Sequence, residues 1–347
     1  MKTPNELQFA PIPMRKVGPV TVSGPEVEAE VRVPLATFET PLWPSVERGA
    51  RVTARAGGIR AVVMSECMTR SVLVTAPDAE GARELMAFVR GHYDALGAVT
   101  AGTSRFARLQ DIHMETVGHL VWIRFAFETG DAAGHNMATR AADALLGWIL
   151  EQRPECRYGS ISGNLCCDKK ASAVNGILGR GKYVVAETLL SGRLVERYLH
   201  TTPAKIAELN QRKNWMGTML AGGVRSANAH FANMLLGFYL ATGQDAANIV
   251  EGSQGFVQAD EREGDLYFSV TLPNLIVGTV GNGKGLAFVE DNLRELGCLE
   301  NREPGANARR LAILCAATVL CGELSLLAAQ TNPGELMAAH LKLERGG

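Results

Sequence analysis

The chain has 347 residues, 46% hydrophobic and 20% charged, enough apolar material for two domains or one large one. A formal charge of −1 excludes the basic field that would draw it to nucleic acid or an acidic membrane surface. The first residues carry no apolar h-region. The seven cysteines follow no disulfide or zinc spacing, which predicts reduced thiols in a cytoplasmic protein with no metal.

The first 70 residues read as short extended pieces and turns. Residues 71–77 (SVLVTAP) predict a strand, and 79–95 a helix opened by Asp78 at a capping position. Residues 105–115 and 119–129 predict two more strands about a turn at Gly118. Residues 134–152 predict a second helix and 157–162 a closing strand. The order βαββαβ is the ferredoxin-like unit. The expected fold class is therefore α+β. A large, mainly helical domain (1–70 and 161–347) would carry a small ferredoxin-like domain (71–160) inserted into it. In the large domain, 226–243 predict a helix ending near Gly243, 266–280 a strand, and 305–330 a long apolar helix. The apolar run of that last helix, Leu311–Cys321, falls short of the ~20 residues of a membrane span, and Glu323 follows, so a core helix is expected.

Several segments carry chemistry. Gly278–Lys284 (GTVGNGK) looks like a phosphate loop, but Gly285 stands where magnesium requires a hydroxyl residue. No GxGxxG fingerprint marks a strand–helix junction, so a dinucleotide would bind by another route. Gly130–Met137 (GDAAGHNM) joins a strand to a helix. Small residues there admit a ligand to the backbone, and helix-start N–H groups attract phosphate; a tight turn capped by Asp131 is an equal reading. Ser162–Lys170 (SGNLCCDKK) places two lysines beside an aspartate. Loop lysines are usually solvated; the functional alternative is an ammonium fixed where an oxyanion develops. Asp245 follows the 226–243 helix and could cap the next one. His340 lies near the C-terminus, where side chains are usually mobile.

Together and in order, these segments resemble 3-hydroxy-3-methylglutaryl-CoA reductase, in its class I-like, soluble prokaryotic form. The match runs through Pro11-Ile12-Pro13, PLATFE (34–39), MTR (68–70), SRFARLQ (104–110), GDAAGHNM, SGNLCCDKK, GRGK (179–182), NAH (228–230), GQDAA (243–247), GTVG (278–281) and GELSL (322–326). The resemblance implies reduction of the CoA thioester to mevalonate in two hydride transfers from NADPH, with the inserted domain binding NADPH. It assigns Lys169 to the oxyanions, Glu39 to proton donation, Asp245 to linking the two, and His340 to protonating the CoA thiolate. A carboxyl donates only if its pKa is raised, which burial of Glu39 would do.

The same matching puts Arg70, Ser162, Asn164, Asp168, Lys170, Lys213 and Asn233 around the substrate carboxylate. Arg48, Arg51, His200 and His230 would face CoA. Asp131, Ala132, Asn136, Val280 and Gly281 would line the nicotinamide, and Ser104 and Arg105 would meet the 2′-phosphate. A homodimer or larger homo-oligomer with shared sites is implied. Thr40, Glu47 and His200 depart from the family's glycine, asparagine and lysine. Two alternatives stand beside this reading: NAD-dependent mevalonate oxidation, which Arg105 disfavours, and a silent CoA-thioester-binding protein, which the four catalytic candidates disfavour.

Overall fold

The computed structural model describes residues 9–337, which form ten strands and, among the helices, six longer ones numbered here in chain order. The strands are β1 (Met14–Gly24), β2 (Val27–Ala36), β3 (Ile59–Thr75), β4 (Arg108–Val117), β5 (Leu120–Glu128), β6 (Arg157–Ser160), β7 (Gly181–Leu190), β8 (Ser226–Ala227), β9 (Gly255–Arg262) and β10 (Asp265–Leu275). The helices are α1 (Leu42–Arg55), α2 (Ala79–Gly91), α3 (Tyr93–Thr103), α4 (His135–Gln152), α5 (Phe231–Ala241) and α6 (Ala306–Gln330).

Strand β3 organises the molecule. Its first half, Arg60–Cys67, pairs with β7; its second half, Met68–Thr75, pairs with β5. The first half sits in a sheet ordered β2-β1-β3-β7-β10-β9-β8. The second half sits in a sheet ordered β4-β5-β3-β6, with every neighbouring pair antiparallel. That order places the two strands joined by α2 and α3 on either side of β5, as a split βαβ unit does. Each sheet has its own apolar core. The larger core joins the first sheet to α1, α5 and α6; the smaller lies between the second sheet and α2–α4.

Helix α6 is apolar on every side, and its middle is fully buried. It is long and apolar enough to cross a membrane, yet 94% of its apolar window lies inside the protein, as a core helix does. Helix α1 crosses it closely: a Cβ on Gly49 would lie 2.0 Å from the Cys321 carbonyl oxygen, so only glycine fits.

The structure adds sheet where the sequence reading had short extended pieces and turns, and where it expected a mainly helical domain. Residues 14–36 form a long hairpin, and 181–190 and 255–262 are strands. The valine alternation of β1 and β2 was present but is interrupted by Pro19, at a register shift, and by Pro34. The expected helix over 79–95 breaks at His92 into α2 and α3. Asp78 does cap α2, accepting the Gly81 N–H at 2.8 Å. The helix expected from 226 begins only at Phe231, because Ser226 and Ala227 pair with β9.

Candidate active site

The SGNLCCDKK loop leaves β6 and carries three non-glycine residues in the left-handed region: Asn164 (φ 60°), Cys167 (φ 46°) and Lys169 (φ 55°). Each such residue costs on the order of 1 kcal/mol, so the loop must be held from outside. Arg180 and Glu251 do this. The Arg180 guanidinium, 1% exposed, pairs with Glu251 and with Asp168, each at 3.0 Å. Glu251, fully buried, also accepts the Lys169 N–H at 3.1 Å and the Asn248 amide at 2.9 Å. Burial pushes the Glu251 carboxyl up, outweighing the hydrogen bonds and the Arg180 charge that favour its ionised form. Asn175 donates to the Cys167 carbonyl at 3.0 Å. Sequence reasoning assigned no role to Arg180 or Glu251. Arg180 lies within the GRGK match, but an isolated Glu251 carries no local pattern.

The pinned loop delivers the Lys169 ammonium to Asp245, 2.8 Å from its Oδ2. The hydrogen bond to Asp245 raises the lysine above its ordinary value. At Asp245, burial opposes ionisation, but the Lys169 and Ala247 hydrogen bonds outweigh it and hold the carboxyl below its usual range. The Ala247 N–H comes from the short helix that Asp245 caps, as the sequence suggested.

Lys169 and Asp245 line a cavity of about 530 Å³ together with Arg70, Ala132, Asn136, Asp168, Val280 and Gly281. Its far wall consists of the GDAAGHNM and GTVG loops, zipped together by a parallel bridge between Ala132 and Val280 and by the Thr279 N–H donating to the Asp131 carbonyl at 2.8 Å. A Cβ on Gly278 would lie 2.3 Å from the Ala133 nitrogen, so only glycine lets the two loops approach this closely. Asp131 does not cap α4, whose N-cap is the left-handed Gly134. It accepts the Ala308 N–H at the start of α6 instead. Lys284 does not reach toward a phosphate either; it donates to the Gly243 carbonyl, and burial lowers its ammonium to about 8. Arg105 lies over the Phe106 ring, and that ring packs beside Gly130 at the start of the same loop. Ser104 accepts the Phe106 N–H at 3.2 Å. Arg70 donates to Thr139 at 3.0 and 2.5 Å. Ser162, Asn164 and Lys170 are exposed on the SGNLCCDKK loop.

Glu39 is not brought to this pair. It lines a separate cavity of about 430 Å³ with Arg48, His230 and Asn233. Contrary to expectation it is exposed, at the turn between β2 and α1, where it accepts the Asn233 amide at 2.6 Å. His230 is fixed through Nδ1 to the buried Glu323 at 2.7 Å. Arg48 is held by Glu335 at 2.6 Å and by Ser325. Arg51 lines a third hollow with Arg32, Arg55 and Glu47. His200 is exposed with φ 56°, its carbonyl taking the Asn332 amide at 2.9 Å. Lys213 donates to Asn214 at 3.1 Å, and burial lowers its ammonium despite the Glu323 charge. His340 lies outside the described residues.

Fold and cavity together define an enzyme of the α+β class whose ammonium–carboxylate pair faces a cleft walled by the GDAAGHNM and GTVG loops. The family model of hydroxymethylglutaryl-coenzyme A reductase matches residues 5–345, and the chain belongs to that family of oxidoreductases. It is 43% identical over 345 residues to the 3-hydroxy-3-methylglutaryl-coenzyme A reductase of Aeropyrum pernix, covering 99% of this chain and 82% of that one. It is 43% identical over 344 residues to the same enzyme of Pyrococcus abyssi, covering 98% and 84%. In fold it is similar to the class II enzyme of Streptococcus pneumoniae, solved bound to NADPH, with a TM-score of 0.74, 20% identity and coverage of 95% and 88%.

Proposed function

We propose that this protein reduces 3-hydroxy-3-methylglutaryl-CoA to mevalonate and CoA with NADPH, as a class I-like, cytoplasmic enzyme. The observation that carries the reading is Lys169 held at 2.8 Å from Asp245, across a cavity from the GDAAGHNM and GTVG loops. The small Ala132 and Gly281 of that wall leave room for a flat nicotinamide ring, and the exposed Asn136 amide at the start of α4 suits its carboxamide. NADPH bound there supplies the hydride. The small domain over 71–160 would hold the cofactor, with Arg105 and Ser104 meeting its 2′-phosphate.

The chain's own residues supply the rest. The Lys169 ammonium stabilises the oxyanion that forms when the thioester carbonyl is reduced, and again at the aldehyde. Asp245 keeps that ammonium charged and aimed. Arg70 and Asp168 line the substrate end of the cavity, with Ser162, Asn164, Lys170, Lys213 and Asn233 as further candidates. Glu39 donates the proton to the reduced oxygen, and His340 protonates the departing thiolate. Arg48, Arg51, His200 and His230 are the CoA candidates. Lys169 and Glu39 line separate cavities in one chain, which supports a homodimer whose sites draw on both copies.

The test is absorbance at the reduced-nicotinamide band with 3-hydroxy-3-methylglutaryl-CoA, run with NADPH and NADH side by side. Substrate-dependent loss of signal, faster with NADPH, is expected. No loss with either cofactor contradicts the reading.

A further inference from the structure

One residue of the main cavity has no part in the mechanism above. His135 opens α4, on the loop that walls the cleft. Its side chain is 23% exposed, and Nε2, buried without a hydrogen-bond partner, lies 3.8 Å from Asp168 Oδ1. Asp168 already takes the Arg180 guanidinium at 3.0 Å, and it is the residue immediately before Lys169. The ring therefore stands between the helix that begins the cleft wall and the loop that carries the reacting ammonium.

We propose that His135 is a positioning residue for the hydride step, acting through Asp168. The neutral ring leaves Asp168 to Arg180 and the Lys169 loop in place. The protonated ring draws Asp168 toward α4 and sets a further cation beside the cleft. The inference rests on the proposed reductase reading, because a nicotinamide that gives up hydride becomes a cation. A positive charge at its wall opposes that change.

The charged groups around the ring come from every neighbouring element. Arg70 comes from β3, Asp168 and Lys169 from the catalytic loop, Arg180 from the start of β7, Asp245 from the loop after α5, and Lys284 from the GTVGNGK loop. Burial, then the Arg180 charge, holds the ring below the usual imidazole range, with Asp168 working the other way. Burial and the Arg180 charge both favour the neutral ring, so its proton is expected to be gained on the acid side of the usual imidazole range.

Two measurements test this. In cofactor-free protein, the ring resonance of His135, assigned by its absence in His135→Gln, is titrated in wild type and in Asp168→Asn. The midpoint should lie below about 6.5 in wild type, and lower still when the carboxylate is removed. In turnover, the wild-type rate should fall about tenfold per pH unit below that midpoint, as for a single proton. The profile of His135→Gln, normalised to its own neutral rate, should lack this limb. An acid limb retained in His135→Gln, or a midpoint unmoved in folded Asp168→Asn, overturns the proposal. If wild type turns nothing over, the reductase reading fails, and the titration alone decides the His135–Asp168 coupling.

Discussion

Asp131 Oδ1 accepts the Ala308 N–H at 3.0 Å, so the loop that walls the cleft also caps the buried core helix α6. The same residue's carbonyl takes the Thr279 N–H from the opposing loop. Asp131→Ala removes the cap and should cost about 0.5–2 kcal/mol of stability. Urea unfolding measures this. The KM for NADPH should rise in the same variant, because the two loops lose their common anchor. Lower stability with an unchanged KM would show that the cap serves α6 alone.

The Arg180–Glu251 pair predicts a larger loss. Glu251→Ala leaves a buried guanidinium with one partner fewer and frees the Lys169 N–H. Breaking a buried pair from one side costs about 3–5 kcal/mol. Thermal unfolding should fall accordingly, and kcat should fall with it, because the left-handed Lys169 loses its hold. Glu251→Gln keeps an acceptor for that N–H and should recover part of both. A Glu251→Ala variant with wild-type stability would mean that Asp168 alone pins Arg180.

The Lys169–Asp245 pair should contribute little to stability, because the two side chains are 41% and 45% exposed. Exposed pairs are worth about 0–1 kcal/mol. The direction with pH still follows. Asp245 is held below its ordinary value in the folded state, so its contribution is present above the unfolded carboxyl value, about 3.9, and is lost as pH falls through the folded value. Wild type and Asp245→Asn should therefore differ slightly at pH 7 and converge in acid. A gap that widens in acid would contradict the pairing.

Arg105, over Phe106 beside Gly130, is placed at the edge of the loop that begins the cleft. Removing a charged hydrogen bond to phosphate costs about 1.5–3 kcal/mol. Arg105→Ala should raise the KM for NADPH about tenfold or more, with NADH use little changed. Equal loss with both cofactors would reduce Arg105 to a support for Phe106.

The second sheet and its helices were legible because their segments are local and strongly periodic: Val72, Val74, Val121, Ile123 and Phe125 alternate inward, and Leu145, Leu146 and Ile149 recur at helical spacing. The large sheet was harder to read. Pro19 and Pro34 disguise β1 and β2, and β7 is defined by β3 and β10, both distant in sequence, rather than by a turn of its own. Lys169, Asp168 and Asp245 could be singled out from the segments that carry them. Their support could not: Arg180, Glu251 and His135 meet them only through long-range packing. The sequence offers Asp131 as the cap of a tight turn or as part of a ligand loop, and no local pattern points from it to Ala308, 177 residues away.

The central claim is that the Lys169 ammonium serves both hydride transfers to one substrate. The most direct test counts NADPH oxidised against CoA released, in wild type and in Lys169→Ala. Wild type should consume two NADPH for each CoA, and Lys169→Ala should lose on the order of 10²-fold in kcat with its fold intact. CoA release at one NADPH or none per turnover, or a Lys169→Ala variant that keeps most of its kcat, would contradict the claim.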